Sequence, residues 1–159
     1  MAKVTDVTQE YADKAKAHGA EIIYEDGYRR TAHKNEIHAA EWLRETFGGN
    51  IALLRENKEY GMKTPDFLWC GATWELKDIS SDKYRTIDRR IQKACEQIRE
   101  NLIQGKRGGI MLDFTESRLA METIKKYVIQ SAEMRATRGT TDVIIKKGME
   151  YSVLRIKRE

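Results

Sequence analysis

The sequence predicts a mixed α/β domain in which helices flank one central sheet. Three observations predict this fold class: long segments with apolar residues every three or four positions, a continuous apolar run bounded by glycines, and short segments typical of strands. The 159 residues, 40% of them hydrophobic, suffice for one domain with its own core. No apolar run approaches the roughly 18 residues of a membrane-spanning helix, so we expect no membrane partner.

The chain is divided at residue 33. Residues 1–32 are interpreted as a loosely attached arm or linker, and residues 33–159 as the folded domain. Within the arm, residues 5–18 allow a short helix. Its apolar positions form only a thin stripe, which consists of Val7, Tyr11 and Ala15.

The predicted domain has the element order αβββαβαββ. A four-three-four spacing from Glu36 to Phe47 predicts the first helix, which two glycines end. The second helix has the clearest spacing, which is formed by Ile87, Ile91, Cys95, Ile98 and Leu102. The helices are predicted at 34–47, 86–104 and 117–135. The strands are predicted at 51–55, 65–69, 72–79, 109–114, 142–146 and 150–157, the last two forming a hairpin that turns at 147–148.

The charge of the chain is distributed unevenly. Residues 1–80 contain 11 Lys/Arg and 14 Asp/Glu, whereas residues 81–159 contain 18 and 11. A basic half favours a polyanionic partner such as nucleic acid. The two cysteines exclude a disulfide scaffold and a zinc-finger framework, so we expect a reducing compartment and a cytoplasmic site of action.

The stretch 64–77 carries the candidate chemistry. A two-residue turn at Cys70-Gly71 would place Asp66 directly opposite Glu75 and would put Lys77 on the same, solvated face. The other face would be apolar and includes Phe67, Trp69, Trp74 and Leu76. Facing carboxylates destabilise a sheet unless a cation compensates them. Two carboxylates suit Mg²⁺ or Mn²⁺, and a metal with a nearby lysine suits phosphodiester hydrolysis.

Pro65-Asp66 followed by Glu75-x-Lys77 resembles the PD-(D/E)xK nuclease motif. The segment from Glu36 to Phe114, about half the chain, resembles the C-terminal toxin domains of contact-dependent growth-inhibition proteins of the CdiA type. Related proteins occur on mobile elements. The matching positions are Glu36, Ala40, Leu43, Lys63–Asp66, Trp74–Lys77, Lys93–Gln97 and the strand of residues 109–114.

The resemblance implies a metal-dependent endonuclease acting on RNA, and on tRNA in particular. Asp66 and Glu75 would hold the metal with help from Glu36, and Lys77 would assist catalysis. Gln97 would border the site. The resemblance also implies an immunity protein as a partner. Basic residues of the second helix would bind phosphates, and these are Arg85, Arg89, Arg90 and Lys93.

Alternatives remain open from the residues. A metal-independent ribonuclease of the barnase/EndoU/colicin/RelE-like group would use a general acid and base, for which His33 and His38 are the candidates. A non-catalytic module of a mobile element or phage would bind nucleic acid or protein instead. DNA is also possible as the substrate. In a purely structural interpretation, Asp66, Glu75 and Lys77 form an ordinary solvated strand face, and the tryptophans belong to the core.

Overall fold

A computed structural model describes residues 2–17, 19–55, 65–101, 108–135 and 139–158. Within these ranges the chain forms four helices and eight strands. The helices are α1 (Thr8–Lys16), α2 (Lys34–Thr46), α3 (Tyr84–Asn101) and α4 (Met121–Arg135). The strands are β1 (Ala2–Asp6), β2 (Ile22–Tyr24), β3 (Ile51–Leu53), β4 (Phe67–Trp69), β5 (Ala72–Asp78), β6 (Gly108–Asp113), β7 (Gly139–Lys147) and β8 (Glu150–Arg158).

All eight strands belong to one mixed sheet with the order β1-β8-β7-β6-β5-β4-β3-β2. The central strands β5, β6 and β7 are parallel, because α3 and α4 each return the chain before the next strand begins. Strand β2 is parallel to β3, and the other neighbouring pairs are antiparallel. From α2 onward the order is αβββαβαββ, so the predicted fold class and element order are confirmed.

Two hydrophobic cores lie on opposite faces of the sheet. Helices α3 and α4 cover one face, where they pack through Ile87, Ile91, Ile124 and Val128 on side chains such as Ile110 and Leu112. Helices α1 and α2 cover the other face, where Tyr11, Leu43 and Phe47 pack on Trp69, Trp74 and Met111. Consecutive strand residues point to opposite faces, so each central strand contributes to both cores.

Two strands from the first 32 residues, β1 and β2, belong to the sheet, which differs from the expected loose arm. Strand β1 pairs with β8 along its whole length, and β2 pairs with β3. Tyr11 and Ala15 of the thin stripe are buried. The Tyr11 hydroxyl donates a hydrogen bond to Asp142, which Arg155 also contacts at 2.9 and 3.0 Å. The stripe is sufficient because α1 is short and covers only part of the sheet.

The element boundaries differ from the prediction by a few residues. Helix α4 begins at Met121 rather than at residue 117. Ser117 precedes the helix, and its Oγ donates a hydrogen bond to the Ser81 carbonyl oxygen. The β7–β8 turn consists of Gly148-Met149, since Lys147 pairs with Glu150. The predicted end of the second helix, residues 102–104, lies outside the described residues. None of the helices in the described ranges has a segment long and apolar enough to span a bilayer.

Candidate active site

The β4–β5 hairpin positions the candidate carboxylates. Phe67 pairs with Trp74 and Trp69 with Ala72, so the two-residue turn is the predicted one. Cys70 and Gly71 have φ values of 52° and 72°, as a tight hairpin turn requires. The regular pairing ends at Phe67 and Trp74, and beyond it the Asp66 N–H donates to the Trp74 carbonyl oxygen at 3.0 Å. Asp66 and Glu75 are not a pair of this register, but their side chains interact through a hydrogen bond and through their charges.

Asp66, Glu75 and Lys77 form one cluster of side chains. The Leu76 N–H donates to Asp66 Oδ2 at 2.7 Å, and Lys77 Nζ lies 3.6 Å from Glu75 Oε1. The Glu75 and Lys77 side chains are only 7% and 15% exposed. The expected solvated face is therefore wrong, because α3 packs across β5 and encloses it.

Burial changes the protonation of this cluster. Loss of solvent, followed by the charge of Asp66, raises the pKa of Glu75 from 4.5 to about 8, although Lys77 opposes the shift. Burial also raises the pKa of Asp66, against the Leu76 N–H and the Lys77 charge. Two interacting carboxylates in a low-dielectric site resist being ionised together. The cluster therefore favours a bound proton or another cation at neutral pH.

A second group of side chains adjoins Asp66 at the start of α2. His33 Nδ1 lies 2.9 Å from Glu36 Oε2, and the Tyr28 hydroxyl donates to Glu36 Oε1 at 3.4 Å. Burial raises the pKa of Tyr28, and the negative charge of Glu36 raises it further. The charge of Asp66 adds to this rise. The charge interaction with His33, in turn, opposes the rise in the pKa of Asp66. The structure thus brings the metal-site candidates and one acid–base candidate into the same region.

Helix α3 lies beside this region. The Arg90 guanidinium donates to the Asp78 carbonyl oxygen at 2.8 Å, at the end of β5. Gln97 lies seven residues further, about 10.5 Å along the helix, and Glu75 lies three residues back along β5, about 10 Å. Because α3 runs antiparallel to β5, Gln97 is level with Glu75. Its buried Oε1 accepts no hydrogen bond within the described residues. The other predicted phosphate ligands, Arg85, Arg89 and Lys93, are exposed.

Aromatic rings support the reverse face of the hairpin. Trp69 stacks on Tyr11 of α1 at 5.4 Å between ring centroids, and Trp74 lies 5.6 Å from Trp69. The Trp74 indole N–H donates to the Trp69 carbonyl oxygen at 2.9 Å. Both tryptophans are buried, in agreement with the structural interpretation of these residues. The carboxylates therefore lie on a rigid support.

The donor set of the cluster fits a partly hydrated divalent cation. Asp66 and Glu75 provide adjacent carboxylate oxygens, and Mg²⁺ is commonly held by one or two carboxylates with water and substrate phosphate. Glu36 is engaged by His33 and Tyr28. Across the described ranges, no three His, Cys, Asp or Glu side chains are grouped as ligands for one metal ion.

His38 lies apart from the His33–Glu36 pair and lines a separate cavity with Asp78 and Asp113. Neither acid is among the site residues predicted from the sequence. Each ends a strand of the parallel pair β5/β6, and they pair directly in the register. The carboxyl ends of parallel strands meet at one edge of a sheet. Two acidic residues that each lie near the end of a predicted strand are therefore a sequence signal that could have identified Asp78 and Asp113. Tyr28 is likewise not among the predicted residues, because its contact with Glu36 depends on tertiary structure.

Comparisons with known proteins support the fold. No protein-family model matches the sequence, and no curated protein matches it. The structure is similar to a chain of the CdiA-CT/CdiI toxin and immunity complex from Burkholderia pseudomallei, with a TM-score of 0.55 and 13% sequence identity. The similarity covers 84% of this chain and 97% of that chain. At this identity the comparison shows a shared α+β fold and no more.

Proposed function

We propose that this protein is a toxin-like, metal-dependent endonuclease that hydrolyses phosphodiester bonds in RNA, with tRNA as the favoured substrate. The observation that carries the proposal is the enclosed Asp66–Glu75–Lys77 cluster on the β4–β5 hairpin. Two carboxylates and an ammonium group provide the charges that phosphodiester hydrolysis needs. The similarity to a chain of a toxin and immunity complex supports the toxin-like character.

Asp66 and Glu75 would hold Mg²⁺ or Mn²⁺, and Glu36, which His33 and Tyr28 contact, would help from outside the set of direct ligands. When bound, the cation supplies positive charge to the phosphate oxygens and acidifies water. The Leu76 N–H fixes the orientation of Asp66, and Lys77 places its charge where the phosphate gains negative charge. Gln97 would accept a hydrogen bond from a water molecule through its buried Oε1. Arg85, Arg89, Arg90 and Lys93 would contact backbone phosphates.

The test is cleavage of total bacterial RNA and of purified tRNA by the full chain, with Mg²⁺ or Mn²⁺ and with EDTA. We expect Asp66→Asn, Glu75→Gln and Lys77→Met each to reduce the rate at least about 100-fold. The matched control is Glu133→Gln, which changes an exposed acid of α4. Cleavage at equal rates by all variants would reject the assigned site. Cleavage of plasmid DNA alone would reject RNA as the substrate.

A metal-independent ribonuclease is the second candidate, and the His33–Glu36 pair favours it. The contact of 2.9 Å at Nδ1 leaves Nε2 for proton transfer. Cleavage that persists in EDTA and is lost in His33→Gln would support this mechanism. His38→Gln is the matched comparison, because His38 lines a different cavity. Loss of cleavage in EDTA, with His33→Gln retaining activity in Mg²⁺, would reject it.

A toxin of this kind requires a neutralising immunity protein, which we propose as a partner. Induced expression of the parent chain should arrest bacterial growth, whereas Asp66→Asn should not. Growth arrest by both would show that toxicity does not depend on the proposed site. Tight RNA binding without cleavage under any metal condition would instead support a non-catalytic binding module.

A further inference from the structure

A cavity of about 490 Å³ lies between α2 and the ends of β5, β6 and β7. It is separate from the Asp66–Glu75–Lys77 cluster, and we call it the α2 cavity. Its principal lining residues are Asn35, His38, Trp42, Asp78, Asp113 and Lys146. The lining therefore combines an aromatic ring, two strand-end carboxylates and amide, imidazole and ammonium groups.

The carboxylates give the α2 cavity its acceptor character. Asp113 Oδ1 accepts hydrogen bonds from the Thr115 N–H at 2.9 Å and its hydroxyl at 2.5 Å. Lys146 Nζ lies 3.5 Å from Asp113 Oδ2 and 2.9 Å from Thr115 Oγ1. Burial and the nearby charge of Asp113 raise the pKa of Asp78. A ligand that brings hydrogen-bond donors would relieve this repulsion, whereas a phosphate group would increase it.

Trp42 supplies an aromatic wall. Its ring makes edge-to-face contacts with the rings of Phe47 and Tyr151, at 5.9 and 5.6 Å between ring centroids. These contacts fix the orientation of the Trp42 ring. Lys146 Nζ lies 5.5 Å from the ring centroid. A fixed indole beside carboxylate acceptors matches the needs of a flat heterocycle with amino groups.

The α2 cavity and the candidate active site share two elements. Asp78 follows Lys77 directly in β5, and Asn35 precedes Glu36 directly in α2. Neighbouring residues of a strand lie about 3.8 Å apart and point to opposite faces. The two sites thus lie on either side of the end of β5. A nucleotide next to the cleaved bond could reach the cavity with its base while its phosphate stays at the active site.

We propose that the α2 cavity binds an unstacked nucleobase that carries an exocyclic amino group, such as adenine or cytosine, from the RNA substrate. Trp42 contacts the face of the base, and Asp78 and Asp113 accept hydrogen bonds from its amino group. Uracil lacks this group and is disfavoured. The inference rests on the proposed function for its choice of RNA, but the binding itself needs no catalysis.

Fluorescence titration of the full chain with nucleosides tests this inference in the presence of EDTA. Trp69 and Trp74 are 1% and 0% exposed, so a change in emission on binding reports on Trp42. We expect adenosine and cytidine to bind about tenfold more tightly than uridine. Asp78→Asn and Asp113→Asn should each remove most of this preference, and Glu133→Gln should retain it. Circular dichroism checks that the variants remain folded.

Isothermal titration calorimetry provides a second readout, including for Trp42→Leu, which should weaken adenosine binding. Equal binding of uridine and adenosine, or no nucleoside binding at millimolar concentrations, would overturn the inference. Binding of spermidine or Mg²⁺ that excludes adenosine would show a cation site and would also overturn it. RNA cleavage measured on the same parent protein separates the two proposals. If the parent cleaves RNA but shows no base preference in binding, only the proposal for the α2 cavity fails. If it binds nucleosides with the expected preference but does not cleave RNA, only the nuclease proposal fails.

Discussion

Replacing Glu75 with glutamine should stabilise the metal-free protein at alkaline pH. Glu75 interacts with Asp66 in an enclosed site, and its pKa is raised from 4.5 to about 8. A carboxyl group with a raised folded-state pKa favours folding while it is protonated. Its contribution is fully present below pH 4.5 and is lost as the pH rises through about 8. Glutamine keeps the size of the protonated side chain and does not ionise.

The size of the effect follows from the shift. One pKa unit corresponds to about 1.4 kcal/mol, so the parent should lose about 4 kcal/mol relative to Glu75→Gln between pH 5 and pH 9. The Glu75 side chain is only 7% exposed, so solvent screens this effect little. Such a loss is a large part of the roughly 5–15 kcal/mol that stabilises a domain.

Urea unfolding at pH 5, 7 and 9, in EDTA, measures this difference. The two buried tryptophans of the hairpin, Trp69 and Trp74, report unfolding. Glu133→Gln is the control, because this exposed side chain lies on α4. Parallel pH profiles for the parent and Glu75→Gln would refute the reasoning. Added Mg²⁺ should stabilise the parent more than Glu75→Gln at pH 9, because the variant lacks one of the two interacting carboxylates.

Three further substitutions test the packing around the site by urea unfolding. Arg155→Met leaves the buried Asp142 carboxylate without its cation and should cost about 3 kcal/mol; an unchanged midpoint would contradict this. Gly109→Ala places a Cβ 2.4 Å from the ring of the buried Trp74 and should cost about 1–3 kcal/mol; an unchanged midpoint would contradict this. Cys70→Asn should add about 1 kcal/mol, since asparagine tolerates the φ of 52° better; destabilisation would argue against the turn geometry.

The hairpin at the centre of the site could be predicted from sequence because its geometry is local. A two-residue turn fixes the opposing pairs beside it, so recognising Cys70-Gly71 was enough to pair Phe67 with Trp74 and thereby to bring Asp66 near Glu75. The helical spacing of Ile87, Ile91 and Ile98 likewise predicted α3, and all three side chains are buried. Strong periodicity and short turns carry their information within a few neighbouring residues.

The remaining features depend on distant contacts. Strand β1 has three exposed residues among Lys3, Val4, Thr5 and Asp6, and it forms only because β8 offers a free edge. The burial of Glu75 depends on α3, which lies across it. Tyr28 approaches Glu36 through tertiary packing alone. The spacing of residues within one segment cannot predict these contacts.

The β4–β5 hairpin separates helix α1 from the candidate active site. Tyr11 rests against Trp69 on one side, and Asp66 and Glu75 project from the other. A displacement of α1 would therefore be transmitted through the thickness of a single sheet to the carboxylates. Residues near the start of the chain thus set the alignment of a site to which they contribute no polar group, and random mutagenesis for altered activity should recover changes in α1.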